Sequence, residues 1–220
     1  MILPFVLDFL FLPSCVSCGR ITNNFILKNE TNKWVCDKCY ERVIKYKNGQ
    51  ILNVRNIDYD KFVYLFEYRH IIRKIIIAYK FHSLPYISNF FIDEILKNKN
   101  LCGFLKNYDI LVPVPMSRIK KNIRGYNQTE LIAKNIASSL GIKMQKIIKK
   151  RENIETQSKL LKTARRRNIR GAFYCTKRIS KQNVILFDDI FTTGATIKEC
   201  AKILKMNGAK KILVLVLAKD

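Results

Sequence analysis

Glycine and proline are scarce in this 220-residue chain, at eight and five residues, and tryptophan occurs once. That supply excludes a collagen-like chain, and no low-complexity linker or internal repeat interrupts the sequence. Long apolar runs are also missing. The most apolar stretch, residues 1–12, spans about a dozen residues and contains Asp8. A bilayer span needs roughly 20 apolar residues, and the stretch lacks the basic leader of a secretory signal. It reads as an apolar helix docked on the body of a cytoplasmic protein without a membrane span. Acids are in deficit too. Seventeen Asp and Glu face 41 Lys and Arg, a formal charge of +24. A surplus of that size points to an anionic partner: nucleic acid, a phosphate-rich substrate or a membrane surface.

Apolar residues make up 48% of the chain, enough for a real core in one ordinary domain with a small appendage, and this excludes a disulfide-stapled mini-protein. The charge is unevenly placed. Residues 101–183 hold 20 basic and 4 acidic groups, so +16 of the +24 lies there, including Lys149-Lys150-Arg151 and Arg165-Arg166-Arg167. Two readings stand open: an anion-binding face, or a solvated basic face reflecting the richness in Ile, Asn and Lys that AT-rich coding sequences produce.

The seven cysteines are organised. Cys15-Val16-Ser17-Cys18 and Cys36-Asp37-Lys38-Cys39 are two CxxC pairs separated by 17 residues. Two residues between cysteines allow a tight turn to aim both sulfurs at one point, and two such knuckles supply four thiolates for structural zinc. Gly19 suits the first turn. The intervening residues 21–35 read as a short hairpin turning at 29–32. Disulfides and a redox CxxC are the alternatives, disfavoured by a reducing compartment and by the duplicated motif. His70 and His82 are then not needed as ligands, and Cys102, Cys175 and Cys200 read as core or semi-buried thiols.

From about residue 60, strand and helix patterns alternate. Strands are expected at 62–66, 110–114, 143–148, 184–187 and 212–217. Helices are expected at 70–79, 128–140 and 196–206. Apolar runs without alternation, separated by helices, predict an α/β fold with a parallel sheet covered on both faces, and ligands beyond the carboxyl ends of its strands. The segment from Val184 to Thr196 concentrates the chemistry. A buried strand leads to Asp188 and Asp189, then to Thr192, Thr193, Gly194, Ala195 and Thr196 at the start of a helix. Backbone N–H groups converging there, with Gly194 allowing the loop to curl and threonine hydroxyls adding donors, suit a phosphate. The two carboxylates would repel that phosphate. They suit sugar hydroxyls or a magnesium ion. Phosphate, ribose hydroxyls and magnesium together describe a phosphoribosyl ligand. Read alone, the same segment is also compatible with a carboxylate pair beside a helix capped by Thr192 or Thr193.

This segment resembles the 5-phosphoribosyl-1-pyrophosphate (PRPP) motif of type I phosphoribosyltransferases, and the whole chain resembles the competence protein F (ComF, or ComF/GntX-like) family. Beyond the PRPP motif, the resemblance is carried by the four-cysteine module after Leu12-Pro13, by Tyr79-Lys80-Phe81 and by Val112-Pro113-Val114-Pro115. It continues in Arg124-Gly125-Tyr126-Asn127-Gln128, Thr156-Gln157-Ser158 and the stretch from Arg166 to Phe173. The sequence departs from the family at His82-Ser83-Leu84, where a Gly-Asp-like pair usually stands, and this weakens the case for a pyrophosphate contact from that loop.

The resemblance implies a zinc-ribbon or knuckle module over residues 1–50 and a type I phosphoribosyltransferase-like domain over 51–220. It implies pentosyl transfer from PRPP with magnesium to an unidentified acceptor. Asp188 and Asp189 would hold the ribose hydroxyls as the catalytic pair, and Thr192 to Thr196 would cradle the 5′-phosphate. Lys80 would sit at a pyrophosphate loop, and Arg118 and Arg124 on a flexible loop closing over the pyrophosphate. Such transfers break the C1′–pyrophosphate bond with oxocarbenium character, so charge stabilisation and positioning dominate. The family's name implies a role in natural transformation and DNA uptake, alongside the competence helicase machinery. A second reading is therefore a non-catalytic, PRPP-sensing protein that binds single-stranded DNA through Arg165, Arg166, Arg167 and Arg170, with nearby aromatic residues such as Tyr126, Phe173 and Tyr174.

Overall fold

The apolar run near the C-terminus forms a strand, Lys211–Lys219, in which every residue from 212 to 218 is buried. Such a strand needs cover on both faces, and the surrounding structure supplies it. The computed structural model describes residues 14–21, 34–55, 57–82, 84–151, 169 and 171–220. Among these, the strands are β1 (Leu52–Asn53), β2 (Lys61–Glu67), β3 (Ile110–Pro113), β4 (Lys143–Met144), β5 (Ile148–Lys150), β6 (Phe173–Cys175), β7 (Asn183–Phe191) and β8 (Lys211–Lys219). The helices are α1 (Asp37–Ile44), α2 (His70–Phe81), α3 (Ile87–Lys97), α4 (Lys99–Leu105), α5 (Arg118–Arg124), α6 (Gln128–Leu140) and α7 (Ala195–Met206). A six-stranded sheet has the order β1-β2-β8-β7-β3-β4. It is parallel from β2 to β4, with β1 added antiparallel at one edge. β5 and β6 form a separate antiparallel ribbon.

The pleat divides the apolar residues between two cores. Leu111, Ile185, Phe187, Leu213 and Leu215 pack with α2, α3 and α6, whereas Ile110, Val112, Val184, Leu186 and Val214 pack with α7. Cys15, Val35, Cys39 and Val43 join the first core, so the four-cysteine segment is packed onto the body. This is the expected α/β class: a largely parallel sheet with helices on both faces and a cysteine cluster towards the N-terminus. Among the described residues, no helix is long and apolar enough to cross a membrane.

Three local expectations change. The strand expected at 143–148 is two strands. Gln145 N–H still bonds Leu111 C=O, but the chain then leaves the sheet and Ile148–Lys150 pairs with β6. The side chains of Ile147 and Ile148 are both buried, which a regular half-exposed strand would not allow. The strand expected at 110–114 ends one residue earlier, at Pro113, and lies between β7 and β4. Pro113 is tolerated as its last residue, after which Val114 N–H reaches Phe187 C=O. Third, α7 begins after Gly194 as N-cap without a side-chain cap bond, so neither Thr192 nor Thr193 occupies that position. The apolar stretch 1–12, most of the hairpin at 21–35, Thr156-Gln157-Ser158, and Arg165, Arg166, Arg167 and Arg170 lie outside the described residues.

The topology opens one crevice. α6 leads from β3 to β4 against one face, and α7 leads from β7 to β8 against the other. The chain therefore leaves two adjacent strands in opposite directions, and a cleft opens beyond their carboxyl ends.

Candidate functional site

Asp188 and Asp189 sit in that crevice, and β7 continues past them to Phe191, further than the apolar run alone predicts. β3 stops pairing at Phe187, while β8 continues beside Asp188, Ile190 and Phe191. The acids therefore lie where β7 has lost its neighbour on one side. Their carboxylates stand on successive residues of a strand and so leave it in different directions. Asp189 meets Lys80 from α2, with Lys80 Nζ 2.7 Å from its Oδ2, both side chains being largely buried. Asp188 Oδ1 accepts the Asp189 N–H at 2.8 Å. Burial, followed by the negative charge of Asp189, pushes the Asp188 carboxyl up to about 7, against the opposing pull of the Asp189 N–H and Lys80. A carboxyl with that affinity for protons is suited to hydroxyl partners at neutral pH.

A cavity of about 190 Å³ is lined by both acids together with Lys80, Lys120, Arg124, Lys150 and Thr196. Burial and then the charges of Lys150, Arg124 and Lys80 lower the pKa of Lys120, a sign of concentrated positive potential. Of the residues expected from the sequence, this cavity unites Lys80, Arg124, Asp188, Asp189 and Thr196. Arg118 lines an adjoining groove instead. Thr193 and Ala195 line a third cavity of about 430 Å³ with Lys198 and Lys202, Thr192 is exposed and Gly194 is buried. Lys120 and Lys150 were absent from the expected set. The signal for Lys150 was the run Lys149-Lys150-Arg151, which charge alone could not assign to a site.

Gly194 has φ +70°, and a Cβ there would clash with the Phe191 ring. The turn into α7 thus requires glycine twice, for backbone conformation and for the ring packed beneath it. Around Arg124, the residues that carried the resemblance form a bonded hub. Arg124 Nη1 donates to Gln128 Oε1 at 3.1 Å, Tyr79 Oη donates to Gln128 C=O at 2.9 Å, and Tyr126 Oη donates to Tyr79 C=O. Asn127 caps α6 by accepting the N–H groups of Thr129 and Glu130. α5 itself buries no residue, and Gly125 ends it in the left-handed conformation.

A second cluster lies at the other end of the described chain. The Sγ atoms of Cys15, Cys18, Cys36 and Cys39 lie within 4.8 Å of one another. Cys18 and Cys36 sulfurs are 3.7 Å apart and all four thiols are free. That spacing is far from an S–S bond of about 2.05 Å. It matches the roughly 3.8 Å edge of a tetrahedron whose metal–sulfur bonds are about 2.3 Å. Gly19, at φ +73°, returns its N–H to Cys15 C=O at 2.8 Å in the first knuckle. Cys36 is the N-cap of α1, and Cys39 lies in its first turn. The Arg20 N–H lowers the exposed Cys18 thiol to about 7, while burial raises Cys39 to about 12. A buried thiolate is costly unless a cation compensates it, so the donor set fits a soft divalent metal. His70 and His82 are exposed and take no part in the cluster.

The crevice with its acid pair, the threonine–glycine turn and the helix behind it form a candidate ligand site at the carboxyl edge of an α/β sheet. No protein-family model matches the chain. Competence protein F of Haemophilus influenzae is 34% identical over 121 residues, covering 52% of each chain. Competence protein ComFC of Bacillus subtilis is 30% identical over 150 residues, 66% of this chain and 58% of that one. DNA utilization protein YhgH of Salmonella typhimurium is 30% identical over 129 residues, 58% and 56%. The chain thus spans about half the length of the curated relatives it matches, and over that span it is similar to competence protein F and its homologues. Similar solved structures include an allosteric regulatory enzyme of purine biosynthesis, with a TM-score of 0.41 and 16% identity over 61% of this chain and 25% of that one. A purine phosphoribosyltransferase from Pyrococcus horikoshii has a TM-score of 0.38 and 18% identity over 59% and 73%.

Proposed function

We propose that the protein binds PRPP in the crevice beyond β3 and β7 and transfers its pentosyl group to an acceptor. The observation that carries this reading is the meeting of Asp188, Asp189, Lys80, Arg124 and Thr196 around one cavity. The carboxylates face the ribose hydroxyls, and the turn from Thr192 to Thr196 holds the 5′-phosphate on the N–H groups at the start of α7. Lys80, Arg118, Arg124 and Lys120 gather the pyrophosphate, whose leaving they assist by neutralising the charge it acquires. Lys80 also neutralises Asp189, so ligand entry requires this ion pair to rearrange. Asp188 and Asp189 are the residues that would contact magnesium, which supplies further charge neutralisation on the pyrophosphate when bound. Calorimetric titration of PRPP with magnesium tests the reading. Binding to the wild type that disappears in Asp188→Asn/Asp189→Asn supports it, and a folded, metal-replete wild type that binds no PRPP overturns it.

The four cysteines hold a structural zinc in this reading, because four sulfur ligands close a tetrahedral site. Residues 1–50 form a zinc module serving the domain at 51–220. A second reading, a PRPP-sensing protein that binds single-stranded DNA without turnover, is favoured by the basic excess in residues 101–183. The names of the relatives, competence and DNA utilization proteins, support a role in competence and DNA utilization, and the family resemblance would add the cytoplasmic competence helicase machinery as a partner. Retained PRPP binding without pyrophosphate release across a panel of acceptors would favour this second reading.

A further inference from the structure

We infer that the acceptor of the pentosyl group is a phosphate-bearing nucleotide unit held in the basic groove beside the acid cavity, an inference that rests on the phosphoribosyl reading above. The groove lies between α5 and the β5–β6 ribbon and has a volume of about 710 Å³, within the range of small-molecule sites. Arg118, Lys121, Lys146, Lys149, Lys150 and Arg151 line it, against the single carboxylate of Glu130. Glu130 is engaged by Lys146 at 2.6 Å. A wall so strongly cationic disfavours a neutral acceptor and rewards one that brings its own negative charge. Pro115, Met116 and Lys150 line both the groove and the acid cavity. A ligand in the groove therefore lies against the site where the pentose would sit.

Tyr174 specifies more than charge. The residue is 39% exposed within the groove wall, with the Arg151 guanidinium 5.3 Å from the ring centroid. It is the cross-strand partner of Lys149 in the β5–β6 ribbon. A flat, exposed ring flanked by two cations offers a base a stacking surface while the cations take its phosphate. The transfer balances without an oxidant or reductant. The C1′–oxygen bond to pyrophosphate breaks with its electron pair leaving on pyrophosphate. A lone pair of the acceptor bonds to C1′, and the acceptor's displaced proton passes to solvent.

The test uses the full chain. The 5′-phosphorylated thymidine dinucleotide and inorganic tripolyphosphate are titrated separately into the wild type, Lys149→Glu/Arg151→Glu and Tyr174→Ala, with PRPP and magnesium titrated in parallel. The double reversal should weaken both probes by about tenfold or more. Tyr174→Ala should weaken the dinucleotide about tenfold and leave tripolyphosphate unchanged. PRPP affinity should stay within about twofold in both variants, because none of these three residues lines the acid cavity. The dinucleotide should also stimulate pyrophosphate release from PRPP in the wild type. A wild type that binds PRPP but neither probe, or probe affinities unmoved by the double reversal, would overturn the groove. Equal effects of Tyr174→Ala on both probes, or dinucleotide binding without pyrophosphate release, would overturn a nucleotide acceptor. Groove binding with no PRPP binding would instead strike the phosphoribosyl reading, and the acceptor role with it.

Discussion

At the residue scale, Asp188 has the most consequential environment. Its folded-state pKa of about 7 exceeds the ordinary carboxyl value of 3.8, so between these the folded chain holds a proton that the unfolded chain has released. Stability must therefore fall as pH rises across that interval. Asp188→Asn removes the titrating group, and its urea midpoint should vary less than that of the wild type between pH 4 and 7, as read in paired denaturation series. By pH 8 the ligand-free variant should be the more stable by roughly 1–3 kcal/mol while losing PRPP affinity. Gly194 is the second such position. Gly194→Ala combines a φ of +70° with a clash against the Phe191 ring, and it should cost roughly 1–3 kcal/mol of stability. Thermal unfolding checks the cost, and a PRPP titration checks the accompanying loss of affinity.

At the element scale, the attachment of the cysteine cluster matters most. Trp34 stacks on Tyr86 with ring centroids 3.8 Å apart. Glu94 of α3, with 1% side-chain exposure, accepts from Tyr40 Oη at 2.8 Å, Lys47 Nζ at 2.8 Å and Lys97 Nζ at 3.2 Å. Burial acts to raise the Glu94 pKa, but the hydrogen bonds from Lys47 and Tyr40 outweigh it and hold the value below the usual carboxyl range. The stabilisation is therefore present at neutral pH and lost as acidification protonates Glu94. Glu94→Gln should destabilise the protein by roughly 1–3 kcal/mol at pH 7, and the difference from the wild type should shrink as acid protonates Glu94, as denaturant titration will show. Cys15→Ser or Cys39→Ser should release the metal, measured by elemental analysis, and loosen α1. Unchanged metal content would remove the basis for a four-thiolate site. α1 was not expected from the sequence because four of its eight residues are charged and its buried pair, Cys39 and Val43, is too small a stripe to register. The helices at 70–81, 128–140 and 195–206 carry longer apolar stripes and were legible for that reason.

On the scale of the whole molecule, a charge of +24 makes any polyanion complex strongly salt-dependent. If the run Arg165-Arg166-Arg167 contacts a single strand, reversing its three charges should flatten the log–log salt slope for an oligothymidine by about two. An unchanged slope would assign the run to a solvated face. The cysteine knuckles and the acid–threonine–glycine segment could be picked out in the sequence by itself, because both draw on residues close along the chain. CxxC aims two sulfurs at one point, and a strand entering a helix presents its N–H groups together. The alternating apolar runs likewise determined a covered parallel sheet. Only the tertiary structure decided that Lys80 from α2 would close on Asp189 in β7. It also decided that β3, despite its prolines, would lie inside the sheet. The groove formed only when Arg118 and Lys121 from α5 met Lys146, the ribbon lysines Lys149 and Lys150, Arg151 and Tyr174. The physical reason is common to all three. Strand order and the handing of helices to opposite faces are set by packing between distant segments, and a charge pattern along the chain does not specify which cations will share one wall.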